Sequence, residues 1–214
     1  MDVPEALGIL GVGILLSSLY LQSESFVGPQ VTGIALQSLL LAGFLGILAW
    51  TEASVGLAIL AALTVLLRVV VIPYILRRQI TAFRWRAREH RAAHRVTGHA
   101  LAAVALAILG WEVYSLAMAP AITAPGTALP FILLLEGFLM LATRGNTLVQ
   151  VVGYLEEENA LIYLGALFSH GFPLLVEAVV SLDVVGVVLV AVILSIQRDV
   201  AGIPEGAHVE ELSG

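Results

Sequence analysis

The run from Val31 to Thr51 contains no charged residue, and at about 1.5 Å per helical residue it reaches across a hydrocarbon core about 30 Å thick. Such a stretch cannot leave backbone N–H and C=O groups open to lipid, so it has to satisfy them internally as an α-helix. The same pattern recurs along the chain. Of the 214 residues 59% are hydrophobic and 12% charged, against about 25% charged in ordinary soluble domains. The class that follows is an all-α, polytopic membrane protein. Its apolar segments are long and continuous, without the alternating pattern of a transmembrane barrel.

Breakers at Gly28-Pro29, from Pro120 to Pro130 and at Gly171-Phe172-Pro173 divide the chain into about seven spans, near 6–22, 30–50, 52–76, 99–119, 128–143, 146–168 and 172–197. The opening segment, Ala6 to Leu21, has the length of a signal-peptide core, but it follows Asp2 and Glu5 with no basic region and no small-residue cleavage site, so a retained first helix is expected. Every basic residue is an arginine. Arg77, Arg78, Arg84, Arg86, Arg88, Arg91 and Arg95 follow span 3, Arg144 follows span 5 and Arg198 follows span 7. Seven spans put all of these on one side, which the positive-inside rule makes cytoplasmic, with the N-terminus outside and the C-terminus inside. The Arg77–Arg95 loop, with Phe83 and Trp85, reads as a topology signal on the membrane surface and not as a nucleic-acid site. The expected organisation is a three-helix part with the basic loop (1–98), a fourth helix and outer loop (99–127), a three-helix module (128–198) and a polar cytoplasmic tail (199–214).

Within these spans stand Arg68, Glu136, Glu156, Glu157, Glu158, Glu177 and Asp183. A charge at the bilayer centre costs from about 2.5 to more than 10 kcal/mol, so such residues persist where they pair, line water or carry ions. In span 6, Asn146, Gln150 and Glu157 fall within about 40° of one another on a helical wheel, with Gly153 beside them and Glu158 on the flank. That stripe fits either a helix–helix hydrogen-bond cluster or proton transfer. In span 7, Asp183 lies near the middle and Glu177 about two turns nearer the outer face, as two stations of a carboxylate chain or as partners for a neighbouring subunit. Arg68 is roughly 13 Å from the inner interface at helical rise, a long way for snorkelling. Glu112 and Glu136 are further intramembrane acids; Glu136 is the better candidate, since its helix precedes the tight Arg144 turn and should pack against span 6. His170 suits an interfacial or titrating role. His90, His94 and His99 have no convergent carboxylate or cysteine, so no metal site is expected. The chain has no cysteine, phosphate loop or nucleophile–base set, and no cofactor or redox chemistry of its own is expected.

The combination of Asn146, Gln150, Gly153-Tyr154, Glu158-Asn159 and Val176-Glu177 six residues before Asp183, with Leu36-Gln37-Ser38-Leu39 in span 2 and a basic residue before Val69 to Pro73, resembles component E of hydrogenase-4 and related formate hydrogenlyase complexes. The resemblance covers nearly the whole chain and is strongest from Arg144 to Arg198. Spans 5 to 7 further resemble the K subunit of complex I and the small subunit of Mrp-type antiporters. Glu158 stands one turn from the position of the first complex I glutamate, which Leu155 occupies, so the likeness there is of face and not of register. The segment Glu52–Ala58 is similar to the surroundings of the second glutamate of that K subunit, by chance or by an old duplication. Component E commonly has lysine where Arg68 stands; arginine stays charged at any working pH, so Arg68 is expected to be a fixed counter-charge to a carboxylate, in this chain or on a partner.

The resemblance implies a non-catalytic membrane-arm subunit of a complex I-like nickel-iron hydrogenase or formate hydrogenlyase assembly in a prokaryotic cytoplasmic (inner) membrane. Its implied partners are antiporter-like and quinone-junction-like subunits, a peripheral redox module and the lipid bilayer. Protons or sodium ions would move along Glu158, Glu177 and Asp183, with Arg68, Glu136 and Glu157 nearby, and Glu156 as structural polarity. An antiporter or inorganic-carbon-uptake complex without hydrogenase, or a scaffold with no ion path, are the alternatives.

Overall fold

A computed structural model describes residues 2–82, 93–118, 128–167 and 186. The described elements are helices: α1 (Val3–Ser23), α2 (Val27–Thr51), α3 (Val55–Thr64), a π-helical segment (Val65–Val71), α4 (Ile72–Ala82), α5 (Ala93–Val113), a second π segment (Tyr114–Met118), α6 (Ala128–Thr143) and α7 (Thr147–Leu167). Four stretches are long and apolar enough to cross a membrane: Val3–Ser23, Val27–Thr51, Val55–Arg78 and Thr97–Leu116. The shorter apolar α6 and the glutamate-bearing α7 pack against them.

Local chemistry explains where the helices turn. Glu24 ends α1, and its carboxylate accepts from the Ser25 and Phe26 N–H groups at 2.7 and 2.9 Å, satisfying the entry to α2. Ser54 caps α3 by accepting from the Leu57 N–H at 3.3 Å. Ala53, one residue earlier, takes a left-handed φ of 49° that lets the α2–α3 turn close in three residues, 52–54. Asn146 Oδ1 accepts from the Leu148 N–H at 2.9 Å at the start of α7.

The π segment has a cause in the sequence. Pro73 has no N–H to give and its ring crowds the carbonyl four residues earlier, which an α-helical turn cannot accommodate without bending. The turn before it is widened instead, and the Ile72 N–H reaches back five residues to the Leu67 carbonyl. Arg68 sits inside this widened stretch.

Helix α2 is packed by α1, α3, the π segment, α4 and α7; α6 lies along α7 and also meets α1 and α5. Two apolar clusters fill the interior. One holds Ile14, Leu41, Phe44, Leu45, Leu57, Leu60, Leu133 and Tyr163; the other holds Leu21, Val31, Ile34, Ile72, Leu76, Met140, Val152 and Leu155. On α1, α2, the first π segment, α6 and α7 buried polar residues stand away from the helix ends, at Ser18, Gln37, Ser38, Arg68, Glu136, Glu156, Glu158 and Asn159, while the buried Gln22, Gln30 and Arg144 lie at one end of the bundle. The protein therefore carries a polar layer at half height.

Candidate functional site: a buried polar layer

On one side of the layer Arg68 meets α7. Its Nη2 donates to Glu158 Oε2 at 2.6 Å, and Nη1 donates to Asn159 Oδ1 at 2.9 Å and to the Leu155 carbonyl at 3.1 Å. Both members of the ion pair are almost fully buried, 3% exposed for Arg68 and 2% for Glu158. A charge removed from water is tolerated when it is paired, and the forked guanidinium pairs with Glu158 while its other terminal nitrogen serves Asn159 and the Leu155 carbonyl. The Tyr154 hydroxyl also faces Glu158. The counter-charge for Arg68 is thus supplied within the chain.

Asn159 carries the layer onward to α2. Its Nδ2 donates to Gln37 Oε1 at 2.9 Å and to Ser38 Oγ at 3.0 Å. Beyond Gln37 lies a second group. Ser18 Oγ, on α1, is in hydrogen-bond contact with both Glu136 Oε2 and Glu156 Oε1. Glu136 and Glu156 are fully buried, and the Gln37 amide faces Glu156 as well. Gln22 Nε2 fixes α1 against α6 by donating to the Glu136 backbone carbonyl at 2.8 Å. Buried polar side chains from α1, α2, the π segment, α6 and α7 thus form one contiguous group.

The three successive glutamates separate as 100° per residue requires. Glu156 turns to Ser18, Glu158 to Arg68, and Glu157, half-buried, lies against α6, where its Cγ packs on Gly137. Gln150, on the same stripe as Glu157, donates to the Arg144 carbonyl at 2.8 Å and helps close the α6–α7 turn. Glu177 and Asp183 lie outside the described residues, as do His170, His90 and the central arginines of the 77–95 loop. The one described residue of that last segment, Gly186, touches the pair directly: a Cβ there would collide with the Glu158 carboxylate. Gly186→Ala is accordingly expected to displace Glu158 from Arg68 and lower the unfolding temperature of the detergent-solubilised protein, whereas Gly46→Ala, where a Cβ meets nothing within 4 Å, leaves it nearly unchanged.

Reading the sequence for charges in apolar surroundings missed two contributors. Ser18 is a small residue in an apolar helix and gives no signal of its own. Arg144, expected only as a topology charge, is 2% exposed; its guanidinium donates to the Gln22 carbonyl and, at 3.5 Å, to the Glu24 carbonyl. Those carbonyls close α1 and have no intrahelical donor, so Arg144 clamps the end of α1 to the α6–α7 turn. Arg77 donates to Thr32 Oγ1 at 3.1 Å at the same end of the bundle. Among the described residues no group of three or more histidine or acidic side chains is arranged to hold a metal ion.

No protein-family model matches the chain, and no solved structure matches it. It is similar to an uncharacterized protein, Rv0085, of Mycobacterium tuberculosis, with 27% identity over 144 residues. The match takes in 66% of this chain and 63% of that protein, so the chain spans less than two thirds of the relative's length.

Proposed function

We propose that the chain is an integral membrane-arm subunit of a complex I-like assembly, built on a hydrogenase or formate hydrogenlyase module, and that its buried carboxylates take part in coupled proton or sodium translocation. In this reading it crosses a prokaryotic cytoplasmic membrane seven times with the N-terminus outside. The observation that carries it is the contiguous polar layer from Glu136 through Ser18, Glu156, Gln37 and Asn159 to Glu158 and Arg68. A chain that needed only to be stable in lipid would gain from filling that level with apolar side chains, since a buried ion pair is on average no better than a well-packed hydrophobic replacement. Ionisable groups kept inside a membrane point to function by default, and ion and proton pathways are among their common uses. The family resemblance of the Asn146–Asp183 region supports the same role.

Mechanistically, redox chemistry in a peripheral partner would bias two arrangements of the helices, and ions would shift along Glu158, Glu177 and Asp183, with Glu136 and Glu157 nearby and Arg68 as the fixed positive member. The test uses the purified complex in sealed vesicles. Glu158→Gln and Asp183→Asn are each expected to abolish ion pumping driven by the redox partner while the complex still assembles; pumping that survives both changes overturns the ion-path role and leaves a scaffold. Mass spectrometry of co-purifying subunits should find a large hydrogenase subunit. Antiporter-like subunits without any redox protein would favour the antiporter or carbon-uptake alternative.

A further inference from the structure

We propose that Glu136 and Glu156 form a proton-sharing carboxyl pair bridged by Ser18, a protonation site separate from the Arg68–Glu158 ion pair. Hydrogen-bond stoichiometry calls for a proton between them. Ser18 Oγ contacts an oxygen of each carboxyl group, but a hydroxyl has one hydrogen to give and otherwise only accepts. It can donate to one carboxylate; the other contact is satisfied when that carboxyl bears a proton and donates to Ser18. Two ionised carboxylates on one hydroxyl would leave an acceptor facing an acceptor.

The surrounding donors and charges require the same proton. From α1 the pair is faced by Ser18, with Gln22 on the Glu136 backbone; from α2 by Gln37; and from α7 by Glu157, the remaining acid that acts on Glu156. No basic residue among the described ones acts on either carboxyl. Arg68 is engaged on the far side of Asn159. Gln37 is fully buried, and its Nε2 has no partner that meets hydrogen-bond geometry although the amide faces Glu156. The site therefore offers one hydroxyl donor, with the Gln37 amide facing Glu156, to a single negative charge, and nothing among the described residues to balance a second. One proton makes it consistent.

Exchange within the pair is balanced. With Glu136 protonated, its O–H donates to Ser18 Oγ while the Ser18 O–H donates to Glu156. Transfer breaks the Glu136 O–H and forms a new one on Ser18, as the old Ser18 O–H breaks and a Glu156 O–H forms; the negative charge moves from α7 to α6. As a protonation site the pair stands without the complex-subunit reading, whereas its use as a station in transport rests on that reading.

Infrared difference spectra of the full-length protein in lipid nanodiscs test both. Between mildly acidic and alkaline buffer the wild type is expected to show a protonated carboxylic C=O band that moves in D₂O. The band should disappear in Glu136→Gln/Glu156→Gln. In Ser18→Ala, which removes only the bridging oxygen, it should persist at a shifted frequency as the carboxyls lose their shared partner. A band unchanged in both the double variant and Ser18→Ala overturns the pair, and so does a wild-type band bleached by sodium chloride at constant pH. Vesicle transport is read separately: pumping that persists in Ser18→Ala with the band shifted supports the pair and removes it from the proposed path.

Discussion

Arg68→Ala is expected to destabilise the protein by about 3–5 kcal/mol, the cost of leaving one member of a buried ion pair without its partner. The orphaned group would be Glu158, 2% exposed, with Gly186 against its carboxylate. The loss is not one of charge alone, because the same guanidinium holds Asn159 and the Leu155 carbonyl and so ties the π segment to α7. Removing both charges should behave differently. Arg68→Met/Glu158→Leu replaces the pair by apolar groups and should recover most of the stability, since such exchanges are often neutral or stabilising. It should not recover ion transport if the pair is part of the path. Arg68→Lys is the intermediate case: the ammonium can keep Glu158 but cannot span Glu158, Asn159 and Leu155 as the fork does. Thermal unfolding in detergent, read beside the amount of protein in the membrane, ranks the variants. An Arg68→Ala midpoint equal to wild type would show that the pair is not holding the bundle together.

Much of this site was legible before any fold was known, because lipid makes charge conspicuous. Arg68, Glu136 and the Glu156–Glu158 run stand out against apolar neighbours, and the wheel correctly groups Gly153 and Glu157 on the side of α7 that meets α6. The assignment of partners was not legible. Three adjacent glutamates must point three ways, but which way leads to Arg68 and which to Ser18 depends on where α1 and the π segment stand, and no local spacing encodes that. Glu156, read from sequence as structural polarity, is brought to Glu136 for this reason. Arg144 shows the reverse difficulty. Its position in a turn fits a cytoplasmic charge, and its burial follows from open carbonyls at the end of a helix more than a hundred residues earlier in the chain. Pro73 stands inside span 3 without altering its expected extent, and its effect appears only in the fold, where the helix yields by widening and not by kinking.

Gly137→Ala should be the most damaging one-carbon change in the described part of the chain. A Cβ at Gly137 would lie 2.6 Å from Glu157 Cγ, 2.9 Å from the Gly153 carbonyl oxygen and 3.0 Å from the Glu157 nitrogen. Two of those atoms are backbone and cannot rotate away, so α6 and α7 would have to separate. The reciprocal contact is as close, since a Cβ at Gly153 would meet Met140 Cβ at 2.7 Å and the Gly137 carbonyl at 3.1 Å. Small residues that let two helices approach are a main source of association in lipid, where burying apolar surface gives little. Overpacking of this kind costs about 1–3 kcal/mol, and Gly137→Leu should exceed that and reduce accumulation in the membrane. The consequence reaches the polar layer directly, because Gly137 adjoins Glu136 in sequence and Gly153 lies one turn before Glu156 and Glu157. Moving α6 outward draws Glu136 away from Ser18 while Glu156 stays with α7. Gly137→Ala is therefore expected to lower the unfolding midpoint and also to change the carboxylic infrared band, and Gly153→Ala, whose Cβ would meet atoms equally unable to rotate away at 2.7 and 3.1 Å, should be nearly as damaging. A Gly137→Ala protein with the wild-type midpoint and an unaltered band would show that the α6–α7 approach neither holds the fold nor sets the spacing of the carboxyl pair.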